Sequence, residues 1–212
     1  MSKIEIISSR AQEFMTDSEG SHDWDHTLRV VKLAKHIAQK EKAHLRLVKL
    51  AAYLHDIGRK YENESKGEIC HAEKGAEIAR QILKEENIDK KIIEKVTHII
   101  RAHRFRNSTE PDSLEAKVLY DADKLDSIGA VGIGRAFLFA GEIGAKLHDR
   151  NIKPEKINSY SENDTAYREY LVKLSKIKDR VYTEEGQRLA KQRHRYMSNF
   201  FKRLNKEVQG II

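Results

Sequence analysis

Residues 51–60, AAYLHDIGRK, place an imidazole beside a carboxylate, His55 and Asp56, just before Gly58. Alone, such a pair at a helix end is as well explained by a cap or a surface ion pair. Its company argues for more. His26 stands at the head of an apolar-periodic stretch in SHDWDHTLRV, and Asp121, Asp123 and Asp126 crowd YDADKLDSIG. Asp123 falls among Val118, Leu119, Ala122 and Leu125, positions that belong to or flank a buried face. A carboxylate near a core is costly unless it is paired or bound to a cation. Two imidazoles and two carboxylates, from His26, His55, Asp56 and Asp123, would meet that requirement around one divalent ion. The carboxylates would balance its charge, and neutral imidazoles add nitrogen ligands suited to a transition metal. The set accommodates Mn, Fe, Co, Ni or Zn, and Mg as well.

An ion with open positions lowers the pKa of bound water from ~15.7 towards ~7 and polarises a phosphoryl oxygen, so hydrolysis of a phosphate ester or anhydride is the matching chemistry. Asp56 would act in catalysis as a charge-bearing ligand, and Asp121 or Asp126 would orient the water or the ligand shell. Cations would hold the substrate phosphates. Arg59, Lys60 and Lys124 lie close to ligands in sequence, and Arg101 and Arg104 flank His103. Each of these reads equally as a solvated charge on a basic protein, and for Arg106 that reading is preferred. His22, about one turn before His26, would support it or contact substrate.

These residues need helices to position them. The composition, rich in Lys, Glu, Ala, Ile and Leu with two prolines in 212 residues, is that of an all-α protein with little or no sheet. Apolar spacing predicts helices over 4–16, from about 23–25 onward with Leu28, Val31, Ala34, Ile37 and Ala38 on one face, and over 44–57. Gly58 is expected to end the third helix in a left-handed conformation, with 59–70 as a loop. Further helices are predicted at 71–86, 90–103, 112–126, 162–177 and 183–205. Residues 1–212 are expected to form one domain, a metal-site core over about 20–150 with a helical extension over 155–212. GAVGIG, residues 129–134, lacks the strand that a dinucleotide-binding loop would follow.

A single cysteine, Cys70, excludes an internal disulfide framework and any multi-cysteine zinc site, and fits a reducing compartment. The N-terminal stretch has no uninterrupted apolar core and no later run reaches the ~18 residues a membrane span needs, so a cytoplasmic protein without membrane contact is expected. The net charge of +7 favours a phosphate-bearing partner, although acids interleave with the bases along most of the chain.

The ordered pattern of His26, then His55-Asp56, then Asp123, with HTLRV, LAAYLHDIGR and DADKLD around it, resembles the HD-domain superfamily of metal-dependent phosphohydrolases. DADKLDSIGAVGIGRAFLFAG is similar to its small stand-alone bacterial and archaeal branch, some members of which hydrolyse nucleotides. The resemblance implies an all-helical fold, a metal held by His26, His55, Asp56 and Asp123, and a small phosphorylated substrate, most plausibly a nucleotide. His71 and His103 stand where some HD-domain proteins carry ligands for a second metal, with substrate contact or a helix-end role as the alternative. Some HD-domain nucleotidases have an acid soon after the His-Asp pair, and in IGRKYE only Glu62 could supply it. The competing functions are a two-metal cyclic-nucleotide or oligonucleotide phosphodiesterase, a paired-iron oxygenase of the same superfamily, and a nucleic-acid-binding protein with a structural metal and a basic C-terminal helix. The nucleic-acid reading is not favoured, because no recognisable nucleic-acid module is present. The glycine-rich and C-terminal helices are the surfaces expected to serve a homo-oligomer.

Overall fold

Asp23 shows how the chain is punctuated. Its side chain accepts a hydrogen bond from the backbone N–H of His26 at 2.8 Å, so an N-cap opens the helix on which the first candidate ligand stands. The computed structural model describes residues 1–15, 23–104, 109–150 and 153–212. His22 and Arg106, two candidates of the sequence, lie outside the described residues.

The helices are α1 (Lys3–Glu13), α2 (Trp24–Glu41), α3 (Leu45–Leu54), α4 (Arg59–Glu64), α5 (His71–Glu85), α6 (Lys90–Ala102), α7 (Leu114–Asp126), α8 (Gly129–Glu142), α9 (Ala166–Val172) and α10 (Glu184–Glu207). No strand occurs among the described residues, so the fold is all-α. None of the described helices is long and apolar enough to cross a membrane.

The chain divides into two compact units, Met1–Asp123 and Lys124–Ile212. In the first unit α3 is the central element. It packs against α1, α2, α5 and α6, and Leu47, Val48, Leu50, Ala51, Ala52 and Leu54 are all buried. That burial is why the segment reads as apolar nearly all round: it has neighbours on every side. In the second unit α10 packs on α8 through Met197 and Phe201, and Phe201 stacks on Tyr170 at 4.6 Å between ring centroids.

Three expectations are corrected. Residues 59–64 form the short helix α4 instead of a loop. The predicted helix over 162–177 is α9 followed by a 3₁₀ turn, Leu174–Asp179. Gly58 is right-handed, at φ −86° and ψ −2°, so left-handed freedom is not what it supplies. A Cβ there would lie 2.3 Å from the His71 carbonyl oxygen, and glycine is required because two backbones meet.

Candidate metal centre

Four helix ends converge in the first unit. His26 is in the first turn of α2, His55 is the C-cap of α3 with Asp56 next to it, His71 is the first residue of α5, and His103 is the C-cap of α6. All five are buried. Asp123 reaches the group from α7 and is half-buried.

The two C-cap histidines share a local device. His55 Nδ1 lies 2.8 Å from the Ala52 carbonyl oxygen, and His103 Nδ1 lies 2.5 Å from that of Ile100. A carbonyl can only accept, so Nδ1 donates in both rings. Each imidazole thereby donates to a carbonyl of the last helical turn and turns the lone pair of Nε2 outward. His71 is fixed in a similar way, with Nδ1 2.5 Å from Glu62 Oε2.

The outward atoms gather on the two oxygens of Asp56. Oδ2 is 3.7 Å from His26 Nε2 and 3.6 Å from His55 Nε2, and His26 Nε2 is 3.5 Å from Asp123 Oδ1. On the other side Oδ1 is 3.4 Å from His71 Nε2 and 3.7 Å from His103 Nε2. Two groups result, His26 with His55 and Asp123, and Asp56 with His71 and His103, each with ligand atoms within 4.8 Å of one another. Asp56 therefore joins the groups, one oxygen facing each.

The site's own chemistry fits a divalent cation. His55 Nε2 is buried and has no hydrogen-bond partner in the protein, although an imidazole nitrogen shut away from water normally finds one. His71 Nε2 and His103 Nε2 face each other at 3.2 Å, and with Nδ1 donating in each ring, both present lone pairs. Burial lowers the His55 pKa from 6.5 to about 4, against the opposing pull of Asp56, and it lowers that of His71 as well. Both rings are thus neutral at ordinary pH, the form that binds a metal.

Glu62 is the residue the sequence reading underweighted. It is buried at the heart of an ion-pair network: Arg59 Nη1 donates to its Oε2 at 3.1 Å, Arg104 pairs with its Oε1, and Arg59 Nη2 donates to Asp56 Oδ1 at 2.9 Å. Asp56, Arg59 and Glu62 are spaced three apart, a signal that becomes legible once 59–64 is read as helical.

Other candidates are placed as follows. Lys60 is exposed, and Arg101 pairs with Glu73 at 2.9 Å. Asp121 is fully buried on α7. Lys124 and Asp126 belong to the second unit, where Asp126 is buried and accepts from Arg135 Nη1 at 2.9 Å. His98, four residues before Ala102 on α6, pairs with exposed Asp112 at 2.7 Å.

Comparison with known proteins identifies the family. The HD-domain family model matches residues 23–128. The chain is 36% identical to YpgQ of Bacillus subtilis, described as uncharacterized, over all of this chain and 96% of that one. The crystal structure of Bacillus subtilis YpgQ in complex with ADP superposes with a TM-score of 0.76 at 31% identity, covering 99% of this chain and 96% of that chain. An HD-superfamily hydrolase from Bacillus thuringiensis gives 0.76 at 28% identity, covering 98% and 97%. This chain belongs to the HD-domain family, and its solved neighbours place it among that superfamily's hydrolases.

Proposed function

We infer that the protein is a cytoplasmic metal-dependent phosphohydrolase that cleaves an ester or anhydride bond of a small phosphorylated molecule, a nucleotide. The observation that carries this reading is the meeting of buried His26, His55 and Asp56 with half-buried Asp123, whose two carboxylates and imidazoles suit one divalent ion. The ADP complex of the related YpgQ supports a nucleotide as the substrate class.

When bound, the ion would supply Lewis acidity and an activated water. The protein's own part is positional. Its backbone carbonyls at Ala52 and Ile100 fix the tautomers of His55 and His103, so no reorganisation is needed at the moment of reaction. Asp121, buried on the helix that bears Asp123, is the group we assign to orient the ligand shell. Exposed Lys60, beside the Asp56–Arg59 pair in sequence, would meet a substrate phosphate.

A second reading is favoured by one observation, the group of Asp56, His71 and His103. A second cation there would be held by Asp56, His71 and His103 and would supply the further Lewis acidity of a two-metal phosphodiesterase.

The test is release of phosphate and pyrophosphate from nucleoside mono-, di- and triphosphates, with cyclic and oligonucleotide substrates in parallel. Chelator-stripped protein is reloaded with each metal, for wild type and Asp56→Ala. Metal-dependent release from the nucleotides, lost in the variant, is expected. Cleavage of the phosphodiesters alone would transfer the conclusion to the second reading, and no release from any substrate would defeat both.

A further inference from the structure

The two halves of the centre differ in one respect. Asp56 Oδ2 lies against the imidazoles of His26 and His55, whereas Asp56 Oδ1 receives a guanidinium, Arg59 Nη2, at 2.9 Å. That is shorter than its separation from His71 Nε2 or His103 Nε2, at 3.4 and 3.7 Å. Arg59 is held there from the other side by Glu62 Oε2, and its Nε is buried with no partner. Its two terminal nitrogens are thus committed to two carboxylates. Burial works against a charge at this position, yet Asp56 and Glu62 outweigh it and raise the guanidinium pKa, so the cation is permanent.

Resting on the metallohydrolase reading, we propose that Arg59 is a built-in cation of the Asp56–His71–His103 half of the centre, which makes the two halves unequal: the His26–His55–Asp123 half takes a metal first, and a second metal binds only by displacing Arg59 from Asp56 Oδ1.

Charge sets the order. Asp56, Asp123 and Glu62 bring three negative charges to the two halves together. Arg59 and Arg104 already set two positive charges against them, so one divalent ion in the first half uses up all the negative charge that remains. A second divalent ion would therefore enter buried surroundings as uncompensated charge, which is strongly disfavoured. The nitrogen ligands of the second half are well oriented, so what limits it is the competing cation and not the donor set. A two-metal enzyme of this geometry would need Arg59 to move. A one-metal enzyme would keep it as a fixed positive group beside the reacting centre.

The experiment is Mn²⁺ binding to chelator-stripped full-length protein, followed by calorimetry for stoichiometry and affinity and by electron paramagnetic resonance for the spin-coupled signal of a Mn²⁺ pair. Wild type is expected to bind one equivalent tightly, with an uncoupled spectrum. Arg59→Met, which keeps the aliphatic bulk and removes the charge, is expected to tighten the second equivalent at least about tenfold, as removal of a charge-assisted competitor should, and to show the coupled signal. Arg59→Lys should remain like wild type. Adding His103→Gln to Arg59→Met should abolish the second equivalent and leave the first. If Arg59→Met is poorly folded by circular dichroism, Arg59→Gln, which retains a hydrogen-bond donor, carries the same expectation. Two equally tight equivalents in wild type, or second-site binding unchanged or weakened without the charge, would overturn the proposal while leaving the hydrolase reading intact. No Mn²⁺ bound by wild type at all would overturn both.

Discussion

Gly58 and His71 meet backbone to backbone: a Cβ on Gly58 would fall 2.3 Å from the His71 carbonyl oxygen and 2.6 Å from the amide nitrogen of Gly75. The turn that follows His55 and Asp56 is thereby pressed onto the first turn of α5, which bears His71. A side chain cannot be admitted without driving these segments apart, because the obstacles are backbone atoms. Gly58→Ala should therefore cost about 1–3 kcal/mol of stability, as overpacking does, and should weaken metal binding through displacement of His71. Gly134, in the middle of α8 with nothing near its Cβ direction, supplies the contrast: Gly134→Ala should stabilise by about 1 kcal/mol through helix propensity. Urea denaturation of the two variants checks both signs.

The sequence carried this centre unevenly, for physical reasons. His26, His55, Asp56 and Asp123 were legible because a charge near an apolar stripe demands a partner, and periodicity is enough to show the stripe. Glu62 is not, because the sequence predicts a loop over 59–70, and the three-residue spacing of Asp56, Arg59 and Glu62 has no meaning without a helix. The same blindness affected 162–177. Leu174 and Ile177, both buried and three apart, fit an α-helix and a 3₁₀ turn equally well. What separates them is the backbone break at Lys173, φ −134° and ψ −58°, which no side-chain pattern encodes.

Metal removal should expose how much the centre depends on an ion. Chelation is expected to lower the melting temperature, and reloading to restore it, because a ligand that binds only the folded state stabilises it by about 2.7 kcal/mol at a hundred times its Kd. Asp56→Ala should lose most of this increment, since Asp56 Oδ2 lies against His26 and His55. Equal metal-induced shifts in wild type and variant, measured by scanning fluorimetry, would place the ion elsewhere.

Acid should destabilise the chelated protein earlier than carboxylate titration alone predicts. His55 is held neutral by burial, with its pKa lowered from 6.5 to about 4, so between these values the unfolded chain binds a proton that the folded chain refuses. Stability is then complete above pH 6.5, falls as the pH drops, and levels off in this respect near pH 4. Burial of His71 acts with the same sign. The urea midpoint in chelator should decline between pH 7 and 5, and His55→Gln should flatten that decline. A midpoint that is constant or rising on acidification would contradict the buried neutral imidazole.

Glu62 and Glu94 both pair with arginine, yet they should respond very differently to loss of charge. Glu62 is buried and serves Arg59, Arg104 and His71 together, so Glu62→Gln leaves guanidinium groups underpaired in a poorly solvated region. A cost of about 1–3 kcal/mol is expected. Glu94 meets Arg80 at the surface, half-exposed, where water replaces a lost partner, and Glu94→Gln should leave the denaturation midpoint nearly unchanged. Comparable losses in the two variants would show that the Glu62 network is as well solvated as the surface pair.

Asp126 presents the choice between catalytic and structural use of a carboxylate most directly. It is fully buried at the end of α7 and bound by Arg135 of α8 within the second unit, where Arg193 also donates to the neighbouring Leu125 carbonyl at 2.6 Å. Removing one partner of such a pair strands the other charge, so Arg135→Met should destabilise by about 3–5 kcal/mol. The double variant Arg135→Met/Asp126→Leu, which removes both charges, should recover much of that loss. Mn²⁺ stoichiometry should be unaffected in whichever of these proteins folds. If Asp126 instead takes part in the chemistry, Asp126→Asn will abolish turnover while Arg135→Met, assayed below its lowered melting point, will retain it. An ion pair that serves structure alone predicts that the two substitutions reduce activity together, in proportion to their loss of folded protein.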